Sequence, residues 1–323
     1  PDALFFNYGN PMSAVCRGVI KATGAKMVGL CHGVPDVARS LAGFLGVDAS
    51  SLIYTAGGIN HFTWFTEISS KGQDLLPKLM SIARDIVDQF KVVIEKHSGS
   101  PAKAEISAYD NSFDGIRHPF TWKLTLLTGA YPAVFDRHVI EFFPGLFSRE
   151  ASYFGRTPGI DAYSFENTIE NGDLGFIEMT AVAEGRAKVP DHYLEQSEGE
   201  HEQVVDIIQN IRADSGVGFS ANLPNAGQLP EIPDGPVVEC PCVATKSGLV
   251  PSSKVALTPF TAGLLAPKFQ WAETVSDAAL SGNRDLVVQA LVLDGSVPDI
   301  DTAVSLANEL IEAQIQYLPA FSS

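Results

Sequence analysis

Two short stretches hold side chains that could do chemistry together. Cys31-His32-Gly33-Val34 closes one apolar run, and thirty positions later Gly58-Ile59-Asn60-His61 closes another. A thiolate and an imidazole can grip a divalent metal and leave coordination positions open for a substrate. The same pair could be a thiol nucleophile with its base. It could also be two ordinary interior residues, since free cysteine is among the most buried side chains. Residue types and spacing leave all three readings open.

A second concentration lies in GAYPAVFDRHVIEFFP (129–144), where Tyr131, Asp136, Arg137, His138 and Glu141 interrupt an apolar, aromatic run. Charged groups in such a run need partners, so either an internal Asp–Arg pair or a site is expected. Cys240 and Cys242 alternate on one strand and face one side. Without a second Cys pair or a nearby His they read as sheet packing, and Cys16, within a helix, reads as core.

The elements that must carry these groups follow from periodicity. ALFFNY (3–8) is a short aromatic strand closed by Gly9. Asn10-Pro11 opens a helix, with Asn10 as cap and Pro11 where no N–H is missed. That helix runs to Gly24 with Val15, Val19 and Ala22 on one face. KMVGL (26–30) is a second buried strand, so the unit is βαβ and its strands are parallel. A helix over 36–46 follows, then strands over 52–58 and 62–69 around Asn60-His61. Ligands of open parallel sheets bind beyond the carboxyl ends of the strands, which is where Asn10 and Cys31 fall. Further on, the pattern predicts an amphipathic helix over 79–95, helix then aromatic run over 120–147, loops over 148–175, and a helix over 198–213. A Pro/Gly-rich connector over 222–236 leads into the strand VVECPCVA, and helices over 270–292 and 301–316 finish the chain.

Composition bounds the function. The 323 residues are 45% hydrophobic and carry a net charge of −16, from 22 basic and 38 acidic side chains. There is no Lys/Arg cluster to track phosphates, which argues against nucleic acid. No apolar run is long enough to span a bilayer, and four cysteines are no disulfide framework, so a membrane is not expected and a reducing cytoplasmic setting is. The chain opens directly on a strand, as though it begins inside a domain. No G-x-G-x-x-G follows any strand, so only the second half of a dinucleotide-binding fold is expected.

In order, Asn10-Pro11-Met12, Cys31-His32-Gly33-Val34, Gly58-Ile59-Asn60-His61, Gly227-Gln228-Leu229-Pro230 and VVECPCVATKSGLVP resemble glycoside hydrolase family 4, through most of the chain. The resemblance implies an α/β fold: a partial Rossmann-like parallel sheet followed by an α+β domain of the lactate-dehydrogenase C-terminal type. Residues 1–70 would be the second half of an NAD-binding domain whose first half is absent, and 71–323 the catalytic and substrate domain. CHGV is similar to the subgroup acting on α-linked uronic acids, α-galacturonidase above all and α-glucuronidase next. The implied cofactors are NAD and Mn²⁺, in the family that departs from two-carboxylate glycoside hydrolysis. Hydride leaves the sugar C3, the metal acidifies the C2 proton, and the glycosidic oxygen is eliminated from C1.

On that pattern Cys31 and His61 hold the metal. His32 assists the leaving group, Asn10 and Met12 meet the nicotinamide, and Asn10 and Asn60 touch the sugar. Asp136, then Tyr131, is the base. Arg137, then His138, reads the C6 carboxylate, with Arg117-His118 as a weaker pair. A homo-oligomer is implied. Three other readings stand beside this one. They are a 2-hydroxy-acid dehydrogenase, which would not use Cys31, an inactive fragment unable to hold NAD, and a cysteine hydrolase.

Overall fold

A computed structural model describes residues 3–96, 118–147, 165–191 and 203–322. The chain opens with β1 (Phe5–Asn7), α1 (Met12–Thr23) and β2 (Met27–Gly29). β1 and β2 pair in parallel, Phe6 opposite Val28, as a βαβ connection requires. Gly24, in the left-handed region, ends α1 and returns its N–H to Ile20. α2 (Gly33–Leu45) follows, starting three residues before the sequence pattern places it. β3 (Leu52–Ile59) and β4 (Phe62–Ser70) form a long hairpin, extended by β5 (Gln73–Asp74).

α3 (Leu76–Lys96) and α4 (Pro119–Thr128) pack beside that hairpin. The short β6 (Tyr131–Pro132) pairs with β4, and α5 (Asp136–Val139) and α6 (Pro144–Phe147) follow. Where loops are expected over 148–175, residues 165 onward are helical in α7 (Phe165–Ala183). The interspersed Gly172 and Gly175 hide that helix from a reading by breakers. α8 (Val204–Ala213) precedes β7 (Gly218–Pro224), β8 (Val237–Thr245) and β9 (Gly248–Pro251). The expected connector over 222–236 is therefore strand at its start.

Two helices replace the single one expected over 270–292. α9 (Pro259–Ser281) stops at Gly282, whose φ of 68° breaks the run, and α10 (Arg284–Asp294) restarts on the Asn283 side-chain cap. α11 (Ile300–Gln314) closes the fold. Among the described residues no helix is long and apolar enough to cross a membrane.

The strands make one sheet in the order β1-β2-β7-β8-β3-β4-β5, so strands from both sides of residue 70 share a ladder. β7 is antiparallel to β2 and β8, and the parallel β1–β2 pair continues into a mixed sheet. This is the α/β class with a Rossmann-like edge and an α+β remainder. One apolar cluster holds Trp64, Val238, Cys240 and Leu265 against the sheet. A second holds Leu41, Phe65, Leu79, Trp122 and Tyr131 under α2 to α4. Cys16, Cys240 and Cys242 are all buried, as core and sheet residues should be.

Candidate active site

The largest construction problem in the fold is the tight end of the β3–β4 hairpin. Ile59 pairs directly with Phe62, leaving Asn60-His61 as a two-residue turn. His61 has φ of 63°, a left-handed conformation that costs a non-glycine residue of order 1 kcal/mol and persists only where the surroundings impose it. Gly58 makes the close approach possible, since a Cβ there would lie 2.4 Å from the Phe62 carbonyl oxygen. The turn thereby holds the His61 ring out at the mouth of the sheet.

Opposite it, the segment after β6 is clamped to the hairpin. The Ala133 N–H donates to the Thr63 carbonyl at 2.7 Å, and Phe142 stacks on Phe62 with centroids 4.6 Å apart. Val139 and Ile140 are buried. That docking brings the His138 ring to 4.3 Å from the His61 ring, and places Glu141 Oε1 3.3 Å from His138 Nδ1. One potential ligand atom from each of His61, His138 and Glu141 lies within 4.8 Å of the others.

These residues line a cavity of about 450 Å³. The start of α1 supplies Asn10, Pro11, Met12 and Ser13, the hairpin turn supplies Ile59, Asn60 and His61, and α9 with the end of α10 supplies Lys268, Trp271 and Asp294. α1 and α9 are tied together by Arg17–Glu273 at 2.6 Å, Lys21–Asp277 at 2.7 Å and Ser276 Oγ donating to the Ala14 carbonyl, so the two walls are fixed relative to one another. Asn10 Oδ1 accepts from Met12 N at 3.2 Å at the head of α1, which serves the cap and leaves its amide at the rim. Lys268 donates to the Asp294 carbonyl oxygen, and burial pulls its pKa below the usual lysine value despite the nearby Asp294 carboxylate.

Behind the turn sits Glu239 on β8, paired across the ladder with Gly58 and only 2% exposed. Burial pushes its carboxyl up to about 7, while Thr63 and the Asn60 amide act in the opposite direction. Glu239 Oε1 and Asn60 Nδ2 are both buried, the amide beside the carboxyl. Sequence reading passes over Glu239, although one acid in the apolar strand VVECPCVA is itself a signal, because a buried carboxyl needs an explanation. It passes over Lys268 and Asp294 too, whereas Trp271 is one of three tryptophans, with Trp64 and Trp122, of which one is expected to be able to line a sugar site.

Of the residues singled out from sequence, Asn10, Met12, Asn60, His61, His138 and Glu141 meet in this cavity. Cys31 does not line it. Its sulfur accepts from Gly33 N at 3.4 Å, packs against the cluster of Met12, Cys16 and Val237, and faces a second, much smaller cavity with His32, Tyr8 and Gln203. Arg137's side chain and Arg117 lie outside the described residues; His118 stacks on Phe135 at the head of α4.

The structure places both expected bases, Asp136 and Tyr131, away from this cavity. Asp136 is 3% exposed and accepts from Phe120 N at 3.1 Å, Thr121 N at 2.8 Å and Thr121 Oγ1 at 2.7 Å. It caps the N-terminus of α4, where exposed N–H groups and the helix dipole favour a carboxylate. Tyr131 is fully buried against Trp122, and burial drives its hydroxyl far above the normal tyrosine range. Neither faces the cavity.

A donor set of two imidazoles and a carboxylate fits a divalent ion of the Mn²⁺, Fe²⁺ or Zn²⁺ type. For a dinucleotide the described residues offer only the rim at Asn10 and Met12, with no glycine-rich turn for a pyrophosphate.

Known proteins share this chain's sequence and fold. Residues 56–297 match the description "Family 4 glycosyl hydrolase C-terminal domain", and residues 1–47 match "Family 4 glycosyl hydrolase". An alpha-glucosidase of Erwinia rhapontici is 28% identical over 98% of this chain and 68% of its own length. An alpha-galacturonidase of Bacillus subtilis is 27% identical with the same coverage. The crystal structure of a putative glucosidase, lplD, from Bacillus subtilis superposes with a TM-score of 0.72 at 26% identity, covering 96% of this chain and 68% of that one. A 6-phospho-alpha-glucosidase from gut microorganisms, solved with NAD and Mn²⁺, shares the fold at a TM-score of 0.72 and 19% identity, over 97% of this chain and 67% of that one.

Proposed function

Because this chain belongs to family 4 of the glycosyl hydrolases, we propose that it cleaves α-linked uronic acid glycosides, galacturonides above all, with NAD⁺ and Mn²⁺ as cofactors. The observation that carries the reading is the meeting, in one sugar-sized cavity, of a cation, Lys268, with the His61, His138 and Glu141 side chains. Relatives named alpha-galacturonidase, at 26–28% identity, support the substrate class, and one named alpha-glucosidase is equally similar, so the choice between them leans on the cation in the cavity.

When bound, the nicotinamide accepts and returns a hydride at the sugar C3, and the divalent ion acts as a Lewis acid. The net reaction adds one water across the glycosidic bond. The chain's own residues orient the sugar and handle protons. Lys268 meets the C6 carboxylate through a charge-assisted hydrogen bond. Asn60, in the cavity wall, borders the sugar, and Asn10 borders both sugar and nicotinamide. Asp294 is the cavity carboxylate that takes the C2 proton in place of Asp136 and Tyr131. His32, in the second cavity, is assigned no step. Trp271 and Phe142 keep water from the apolar side of the sugar.

The reading includes a cytoplasmic homo-oligomer. Its support is that the four cysteines are free thiols and that α7 presents Ile169, Leu174, Phe176 and Ile177 to solvent.

Turnover of an aryl α-galacturonide in D₂O, with NAD⁺ and Mn²⁺ supplied, tests the reading. Elimination and re-addition leave deuterium at C2 of the released sugar, which NMR detects. Hydrolysis that leaves C2 fully protonated overturns the mechanism, and turnover of neutral α-glucosides alone overturns the substrate class.

A further inference from the structure

We propose that Glu239 is a positioning residue for the sugar. From behind the β3–β4 turn, one of its carboxyl oxygens sets which way the Asn60 amide points, with the nitrogen inward and the oxygen toward the cavity. The inference rests on the reading above that a sugar occupies this cavity.

Geometry carries it. Glu239 is the one acid of β8, is buried, and stands opposite Gly58, two residues before Asn60. Its Oε2 meets the Thr63 hydroxyl at 2.5 Å, which leaves Oε1 for the neighbouring Asn60 amide. Oε1 and Asn60 Nδ2 are both buried, and one is an acceptor, the other a donor. Asn60 is itself buried to 7% exposure, yet it lines the cavity beside Asn10 and Lys268.

Chemistry agrees. The two ends of an asparagine amide differ, and the surrounding partners decide between its two orientations. A carboxyl oxygen that only accepts selects the nitrogen. Oδ1 is then what Asn60 offers the cavity, as an acceptor for a sugar hydroxyl. Support of Thr63 alone is the bland alternative. The Ile59 carbonyl already accepts from the Thr63 hydroxyl at 3.1 Å, so Thr63 has no need of an acid. Burying a carboxyl is costly, and Val237, Val238 and Cys240 around it are apolar and buried.

The test compares Glu239→Gln and Glu239→Leu in the full chain. Gln keeps an accepting carbonyl for Asn60 and a donor for Thr63, whereas Leu keeps only bulk. With NAD⁺ and Mn²⁺ supplied, Leu should raise KM for an aryl α-galacturonide about tenfold and change kcat less than about threefold, the loss of one hydrogen bond, and Gln should bring KM back to within about threefold of the wild type. A merely structural role would reduce the active fraction, lowering kcat with KM unmoved. An unchanged KM in the Leu variant, or one raised equally in both variants, overturns the inference.

A second measurement uses neither sugar nor cofactor. In protein carrying ¹⁵N-asparagine, NMR follows solvent exchange of the Asn60 side-chain protons, assigned by their loss in Asn60→Ala. In the wild type they should exchange at least about tenfold more slowly than those of exposed asparagines, and Glu239→Leu should remove that protection. Fast exchange in the wild type overturns the inference even where the Leu variant does not fold, and protection unchanged by Leu overturns it too. Should the wild type turn over no galacturonide, the proposed function fails while the exchange data still decide the Glu239–Asn60 pair.

Discussion

Thr63 Oγ1 lies 2.5 Å from Glu239 Oε2 and 3.1 Å from the Ile59 carbonyl oxygen, inside the sheet directly behind the His61 turn. A hydroxyl has one proton and two acceptors here, so a neutral Glu239 that donates to Thr63 satisfies both contacts at once. The buried carboxyl, pushed up to about 7, is suited to that role.

Stability should therefore fall as pH rises from about 4.5 to 7. The folded Glu239 holds its proton where the unfolded chain has released it, so the favourable contribution is complete below the unfolded value and gone above the folded one. The ceiling on this change is about 3 kcal/mol. Glu239→Gln should flatten the slope and raise stability at pH 8. Urea unfolding at several pH values checks it, and a slope unchanged by the substitution contradicts it.

Asp136→Ala should cost about 3–5 kcal/mol, because three buried donors at the head of α4 lose their acceptor together. Denaturant melts measure the loss. Asp136→Asn should recover part of it. A variant as stable as the wild type but without turnover would return Asp136 to the role of base.

Tyr131→Phe should leave turnover within twofold and stability unchanged or slightly higher, since the removed hydroxyl is buried without a partner. Steady-state kinetics with the galacturonide decide the matter; a loss beyond a hundredfold would mean that the ring leaves the core during the reaction.

Lys268→Met should raise KM for a galacturonide by roughly tenfold to a hundredfold, the worth of one charged hydrogen bond, while a neutral α-galactoside is affected little. Equal losses on both substrates would show that Lys268 supports the cavity wall rather than reading a carboxylate.

Much of the scaffold was legible in sequence because it rests on local signals. The Asn10-Pro11 opening, the left-handed Gly24 stop and the two short apolar runs dictate β1-α1-β2, and alternation around Asn60-His61 dictates the hairpin. β7 was hidden because Leu223 and Pro224 run straight into a proline-rich connector, and its pairing with β2 is a long-range choice. The 129–144 segment was correctly marked as the place where charge needs explaining, yet its residues divided differently from expectation. Asp136 turned inward because the bare N–H groups of α4 lie across from it, a tertiary fact with no sequence period. His138 and Glu141 turned outward to meet His61. Lys268 was invisible, and Trp271 could not be told from Trp64 and Trp122, because a long helix distributes its faces only after packing against α1.

The position of β7 bears on how the chain reaches this state. Gly29 on β2 finds its antiparallel partner, Asn222, almost two hundred residues further along. During synthesis the open flank of β2 must wait, its amides facing water, until that late strand emerges from the ribosome. Topologies with such distant pairings fold slowly and leave sticky edges exposed in the meantime. Chaperone supply and translation speed should therefore govern the yield of this protein more than the strength of any single contact in the finished sheet.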